Sequence, residues 1–276
     1  MKKFLSIMLV LVLALSFAAC TSKAPVTEEP VAEVASDLEY VMSNGKMIIG
    51  YTVYEPMNYT DKDGNFVGFD TDYAKAVCEK LGVEPEFVEI NWDTKEIELD
   101  AKNIDCIWNG FTITEERKQN VEFTNPYISN KQVVVIKADN KDKYVDAASL
   151  AEANLVAEIE SAGESAIKDD AELSKANYVS VSKQTDGLLE VKSGTADAVV
   201  LDYTLASAMV GEGTDYADLM IIDGLDLAVE EYGIGFRKGS DLAEKVNSIT
   251  AELIADGTMD KIAEAYDMSA ILVKEF

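Results

Sequence analysis

Short apolar runs alternate with stretches of helical period along most of the chain. MIIGYT (47–52) is predominantly apolar and too short for a helix, which predicts a strand. Asp and Gly in DKDGN (61–65) predict a hairpin turn, because they supply local hydrogen bonds and positive φ. Its Asp-x-Asp-Gly spacing resembles a calcium loop only faintly, since the later ligands are missing. From Asp70 to Leu81 the period becomes helical, with Ala74, Val77 and Leu81 on one face, Asp70 or Thr71 as cap and Gly82 as stop. PEFVEI (85–90) predicts a strand, Thr94 to Ala101 a short helix and Ile104 to Trp108 another strand. Thr114, with Glu115 and Glu116 behind it, predicts a capped helix start.

After the β-branched run QVVVIK (132–137) the alternation starts again. LVAEI (155–159), NYVSV (177–181) and ADAVV (196–200) read as strands, with helices from Ala162, Lys183 and after Asp202. MIID (220–223) and YGIGF (232–236) are the last predicted strands. Helices at Ser240–Ala255 and Met259–Tyr266 follow, separated at Gly257. Strands alternating with helices imply an α/β fold with parallel-rich sheets covered on both faces. The pattern occurs twice, so two Rossmann-like lobes are expected, with a cleft at the carboxyl ends of their strands.

The N-terminus departs from this pattern. Lys2 and Lys3 precede an apolar run to Ala19 that is short for a membrane span. Residues 1–19 read as a signal peptide. Ala18, Ala19 and Cys20 resemble a bacterial lipobox, although Phe17 stands where Leu is more usual. Cys20 is therefore expected to be acylated, for example with palmitate, anchoring the chain at the outer face of the cell membrane, or in the periplasm of a two-membrane envelope. Residues 20–37 contain Pro25 and Pro30 and no aromatic residue, which suits a flexible tether.

Charge and composition narrow the chemistry. The formal net charge is -27, which disfavours nucleic acid as a partner. There is no histidine, so triads and zinc sites built on histidine are excluded. No metal or cofactor is expected. Cys78 and Cys106 stand on a predicted helix and a predicted strand; a disulfide and two buried thiols both remain open.

The segment WNGFTITEER (108–117) follows a predicted strand. Gly110 permits close backbone approach, Thr112 offers a hydroxyl, and Arg117 offers a planar fork suited to a carboxylate. A surface ion pair between Arg117 and Glu122 is equally open. Four stretches carry a specific resemblance: 54–82, NGFTITEERKQNVEFTNPY (109–127), GLLEVKSGTADAVVLDYTLA (187–206) and EEYGIGFRKGSDL (230–242). Together they resemble the bacterial extracellular solute-binding proteins for polar amino acids that serve ABC transporters.

That resemblance implies a type II periplasmic-binding-protein-like fold. Lobe one would comprise 38–130 and 233–276, and lobe two 135–229, joined by two crossing strands. It further implies that Arg117, assisted by Thr112, clamps the ligand carboxylate with an amide near Ser161 and Ala162. A Gly is usual where Glu160 stands. Asp202 would take the ammonium, unless it simply caps the following helix, and the Gly110 carbonyl would assist. Tyr54 and Trp92 would sandwich the side chain, although a surface turn and a core position are their plain alternatives.

Asn58 and Asn109 are candidate side-chain contacts. Tyr51 occupies a position where family members for basic ligands often carry Asp, with Glu55 and Glu158 as the acids that could substitute. A neutral polar ligand such as glutamine or cystine is therefore expected, captured by a monomer through hinge closure and delivered to a membrane permease. A dehydratase with Glu158 or Glu55 as its acid, and a sensor presenting to a receptor, are the rival expectations.

Overall fold

The computed structural model describes residues 36–275. The expected signal segment, Cys20 and the expected tether up to residue 35 lie outside them. Ser36 caps helix α1 (Asp37–Asn44) by accepting from Glu39 N at 2.9 Å, so Ser36 and Asp37 belong to a capped helix. Ser36 Oγ also donates to Asp241.

The first half contains β1 (Lys46–Tyr51), the hairpin β2 (Tyr59–Thr60) and β3 (Phe66–Val67), α2 (Phe69–Leu81), β4 (Glu84–Glu89), α3 (Lys95–Asp100), β5 (Cys106–Thr112) and β6 (Val121–Phe123). The predicted hairpin turn is present, with Asp61 Oδ1 accepting from Asp63 N and Asn65 N. A long strand, β7 (Ile128–Lys137), leads into the second half: β8 (Asn154–Glu158), α4 (Ala162–Asp169), β9 (Asn177–Val181), α5 (Gln184–Ser193), β10 (Ala198–Asp202) and α6 (Tyr203–Met209). The chain returns on β11 (Leu219–Arg237) and ends in α7 (Leu242–Ala255) and α8 (Thr258–Ala265).

All strands but the hairpin form one nine-stranded sheet, ordered β4-β1-β5-β11-β7-β10-β8-β9, with β6 added against β11. Each half contributes three parallel strands. The antiparallel pair β7–β11 joins them, running from Leu219↔Lys137 to Tyr232↔Ile128. The sheets of the two halves are thus continuous through this pair. The predicted strands MIID and YGIGF are the ends of a single 19-residue strand, β11, whose register shifts around Asp226. The polar residues between them hid this continuity, because a strand with one face in solvent carries polar side chains.

The apolar run at β7 has no alternation because both faces are covered. Val133 and Val135 pack with Leu188, Val191 and Val199, while Val134 and Ile136 pack with Leu155, Ile167 and Val200. Cys78 and Cys106 are buried free thiols within the core of the first half.

Two capping expectations fail. Gly68, not Asp70 or Thr71, precedes α2, and no side chain caps it; the Asp70 carboxylate instead turns inward to Gly110 N. Thr114 does accept from Arg117 N at 3.1 Å, but only a 3-10 turn (Arg117–Gln119) follows, not an α-helix.

Arg237 closes the first half. Its guanidinium bonds Asp37 at 2.9 Å, Asp105 at 3.3 Å, and the carbonyls of Leu99 and Ile104, tying α1, β5 and β11 together. All three charged side chains are at most 10% exposed. Removing one member of such a buried group leaves uncompensated charge behind. Arg237→Ala is expected to lower unfolding stability by ~3–5 kcal/mol, measured by urea denaturation. A loss below about 1 kcal/mol would refute the structural role assigned to this cluster.

Candidate functional site

The carboxyl ends of β1, β5, β8 and β10 converge where the two halves meet. The cavity there is lined by Thr52, Tyr54, Trp92, Asn109, Gly110, Thr112, Arg117, Glu158, Ser161, Ala162, Gln184 and Asp202. All nine of the pocket residues expected from the sequence are among them. Thr52, Glu158 and Gln184 were not in that set. Glu55 and Asn58 do not line the cavity.

From the first half, β5 runs on through Asn109, Gly110, Phe111 and Thr112, so these residues lie within the strand and not after it. Gly110 has φ +57, and a Cβ there would stand 2.7 Å from the Tyr54 ring and 3.0 Å from the Tyr232 ring. Only glycine lets both rings close over the strand. The Tyr54 hydroxyl bonds Thr204 Oγ1, at the start of α6, and the Tyr232 hydroxyl at 2.7 Å. Tyr54 therefore ties the two halves together.

The Asn109 amide is fully engaged. Its oxygen accepts from Thr52 N and Oγ1, and its nitrogen donates to Thr52 O and Asn58 Oδ1. Both candidate asparagines thus brace the ends of β1 and β5. Trp92 belongs both to the cavity wall and to the core, edge-on to Phe111 with centroids 5.5 Å apart.

Arg117 is half-buried, with its guanidinium 4.7 Å from the Phe111 ring centroid. It donates to Thr112 O at 2.8 Å and, across the cleft, to Glu160 O at 3.1 Å. The alternative pairing with Glu122 is not formed; Glu122 pairs with Lys238. Burial lowers the Arg117 pKa from its ordinary value. Lys95 also donates to Glu160 O, at 3.3 Å, and burial followed by the nearby Arg117 lowers its pKa to about 8.

The second half presents the start of α4. Ser161 Oγ accepts from Glu164 N at 3.1 Å, and the Glu164 carboxylate accepts from Glu160 N at 2.9 Å. This arrangement resembles a capping box, and SAGE (161–164) has its Ser-x-x-Glu spacing. The first-turn amides of Ala162 and Gly163 have no intrahelical acceptor. Glu160 has φ +57, a conformation that explains why glycine is usual there and that Glu160 nevertheless adopts. Gly163 lets α4 approach β10, since a Cβ would meet Val200 O at 2.8 Å.

Asp202 ends β10, and its side chain makes no cap bond to α6. Its Oδ1 accepts from Asn130 at 2.8 Å and Gln132 at 2.6 Å, and its Oδ2 accepts from Gln184. The same two amides donate to Glu230 Oε1, at 2.6 and 2.9 Å. Sequence reasoning missed Glu230, which lies on β11 opposite Asn130, and Gln184. Burial first, then the Asp202 charge, pushes the Glu230 carboxyl up to about 8. The same two causes raise Glu158, only 3% exposed, to about 8. Glu158, named from the sequence as a candidate acid, ends β8, where strand carboxyl ends face the cleft in such sheets.

The cavity holds about 10 Å³, roughly the room of a single water. Arg117, Thr112 and Ala162 also border an open trough of about 850 Å³ outside it. Among the described residues, no helix is long and apolar enough to cross a membrane and no side-chain group has metal-site composition.

A sign follows for the pH dependence of stability. Folded Glu230 keeps a proton up to about pH 8 that the unfolded chain releases near 4.5, so this group lowers stability as pH rises through that window. Glu230→Gln, which retains the acceptor oxygen, is expected to melt progressively higher than the wild type as pH rises from 5 to 9. A difference in melting temperature that stays constant over this range would refute the buried protonated state.

The bacterial extracellular solute-binding proteins, family 3, match the chain over residues 47–269. The ABC transporter glutamine-binding protein GlnH of Bacillus subtilis is 29% identical over 270 residues, covering 95% of this chain and 96% of that protein. A substrate-binding protein of an ABC uptake transporter from Streptococcus pneumoniae, solved with bound histidine, is 30% identical with a TM-score of 0.74, covering 84% of this chain and 96% of that one. Tv2483, solved bound to L-arginine, is 27% identical with a TM-score of 0.80, covering 87% and 98% respectively. With this match over most of its length and strands from both halves meeting at one cavity, the chain belongs to the bacterial extracellular solute-binding proteins, family 3.

Proposed function

We propose that the protein is the substrate-binding component of an ABC transporter, and that it captures an amino acid outside the cell by closing two lobes over its zwitterionic end. One observation carries the reading: Arg117 lines the cavity from the first half and Asp202 lines it from the second. An ammonium and a carboxylate on one carbon suit that opposed pair.

Arg117 and the first-turn amides of α4 take the ligand carboxylate, in the manner of an anion at a helix N-terminus. The guanidinium exchanges the Glu160 carbonyl for a charged partner, which is the stronger acceptor. Asp202 takes the ammonium. Three amide donors hold its carboxylate, which leaves one acceptor site on Oδ2. Tyr54 and Trp92 enclose the remainder of the ligand.

A cavity of about 10 Å³ cannot take an amino acid, so the lobes must part for entry. Opening breaks the Tyr54–Thr204 and Arg117–Glu160 bonds, and the Lys183–Glu89 ion pair of 2.6 Å. The boundaries 38–130 with 233–276, and 135–229, place the bend on β7 and β11. A ligand that touches both lobes favours closure by its differential contacts. The closed form then docks on a membrane permease, while acylation of Cys20 keeps the protein at the membrane.

A dehydratase reading draws on the raised Glu158 carboxyl, which retains a proton near neutral pH and would suit a general acid. Turnover of a cyclohexadienyl acid separates it from binding alone.

Replacing Arg117 by Ala is expected to weaken amino-acid binding by ~3–5 kcal/mol, at least about a hundredfold in affinity, measured by calorimetry. Melting temperature without added ligand is expected to change little, because Arg117 is only half-buried. Unchanged affinity would refute the carboxylate clamp.

A further inference from the structure

One buried acid at the cavity finds no counterpart in an α-amino acid with a neutral side chain. Arg117 answers the ligand carboxylate and Asp202 answers the ammonium, which rests on the function proposed above. Glu158 is then left over. It lines the same cavity, is 3% exposed, and its Oε1 has no hydrogen-bond partner among the described residues. Lys95 and Lys183 act on its charge from nearby. Neither is bonded to it: Lys95 donates to the Trp92 and Glu160 carbonyls, and Lys183 pairs with Glu89. Glu230 adds a further buried acid behind Asp202.

We propose that this site selects an α-amino acid whose side chain carries a positive charge, and that Glu158 is the residue that selects it. Burial without a donor keeps a proton on Glu158 near neutral pH, and a cation brought by the ligand displaces that proton and pairs with the carboxylate left behind. A neutral side chain of the same shape leaves the proton in place, so discrimination follows from the unpaired group. This replaces the neutral ligand that Tyr51 suggested. Tyr51 lies outside the cavity lining, packed on Phe66 and Phe87 with centroids 4.7 and 6.4 Å away, so its identity says little about the pocket. The acid expected on the first lobe is supplied instead by the second, at the end of β8.

The test compares L-arginine with L-citrulline, which keeps the shape and loses the charge, by calorimetry on the purified protein. L-Lysine and L-glutamine form a second pair. The wild type is expected to prefer arginine to citrulline by at least about tenfold. Glu158→Gln, checked for folding by circular dichroism, is expected to lose that preference while still binding citrulline. Citrulline or glutamine bound as tightly as arginine or lysine by the wild type overturns the inference, and leaves amino-acid capture standing. Retention of the full preference in Glu158→Gln overturns the role of Glu158. Binding of no amino acid at all removes both readings. Should Glu158→Gln fail to fold, the wild-type ratio decides by itself.

Discussion

Pairing between β7 and β11 carries the rest of the structure. Among the described residues these two strands alone belong to both halves of the sheet, and their ladder runs from Leu219↔Lys137 to Tyr232↔Ile128. Each is flanked by parallel strands of one half, β5 on one side and β10 on the other. The ladder therefore sets the distance between the carboxyl ends of β5 and β10, and with it the distance between the segments that carry Arg117 and Asp202. The shifted register around Asp226 sits in this ladder, where a bend changes that distance most directly.

The second governing constraint is electrostatic. Buried carboxyl groups are answered by donors or cations, or else keep a proton. Asp105 and Asp37 are answered by Arg237, and this part of the first half is closed and structural. Asp202 and Glu230 share the Asn130 and Gln132 amides, which hold one oxygen of each in place without bringing a positive charge. Amides position; they do not compensate. The acid-rich side of the cleft is therefore held ready in shape and unfinished in charge. That difference separates a structural ion cluster from a binding one within the same molecule.

Asp70 extends the same logic. It is fully buried, accepts from Gly110 N at 2.8 Å and from the Tyr127 hydroxyl at 3.0 Å, and burial raises its carboxyl to about 7. A residue that looked like a helix cap thus holds the one glycine on which the Tyr54 and Tyr232 rings converge.

By itself the sequence determined the alternation of strands and helices, the hairpin at DKDGN and the break at Gly257, because period and turn chemistry are local properties. The resemblance brought Tyr54, Trp92, Gly110, Thr112, Arg117, Ser161, Ala162 and Asp202 within reach, since strand ends and helix starts mark themselves in the chain. Tertiary structure alone decided the rest. It joined MIID to YGIGF as β11, turned Asp70 inward, and tied up Asn109 among Thr52 and Asn58. It also brought Gln184 and Glu230 to Asp202, and left Glu158 without a donor. Hydrogen-bond partners and charge compensation depend on residues tens to hundreds of positions away. No local pattern records which carboxylate among 51 acids will be the one left unanswered.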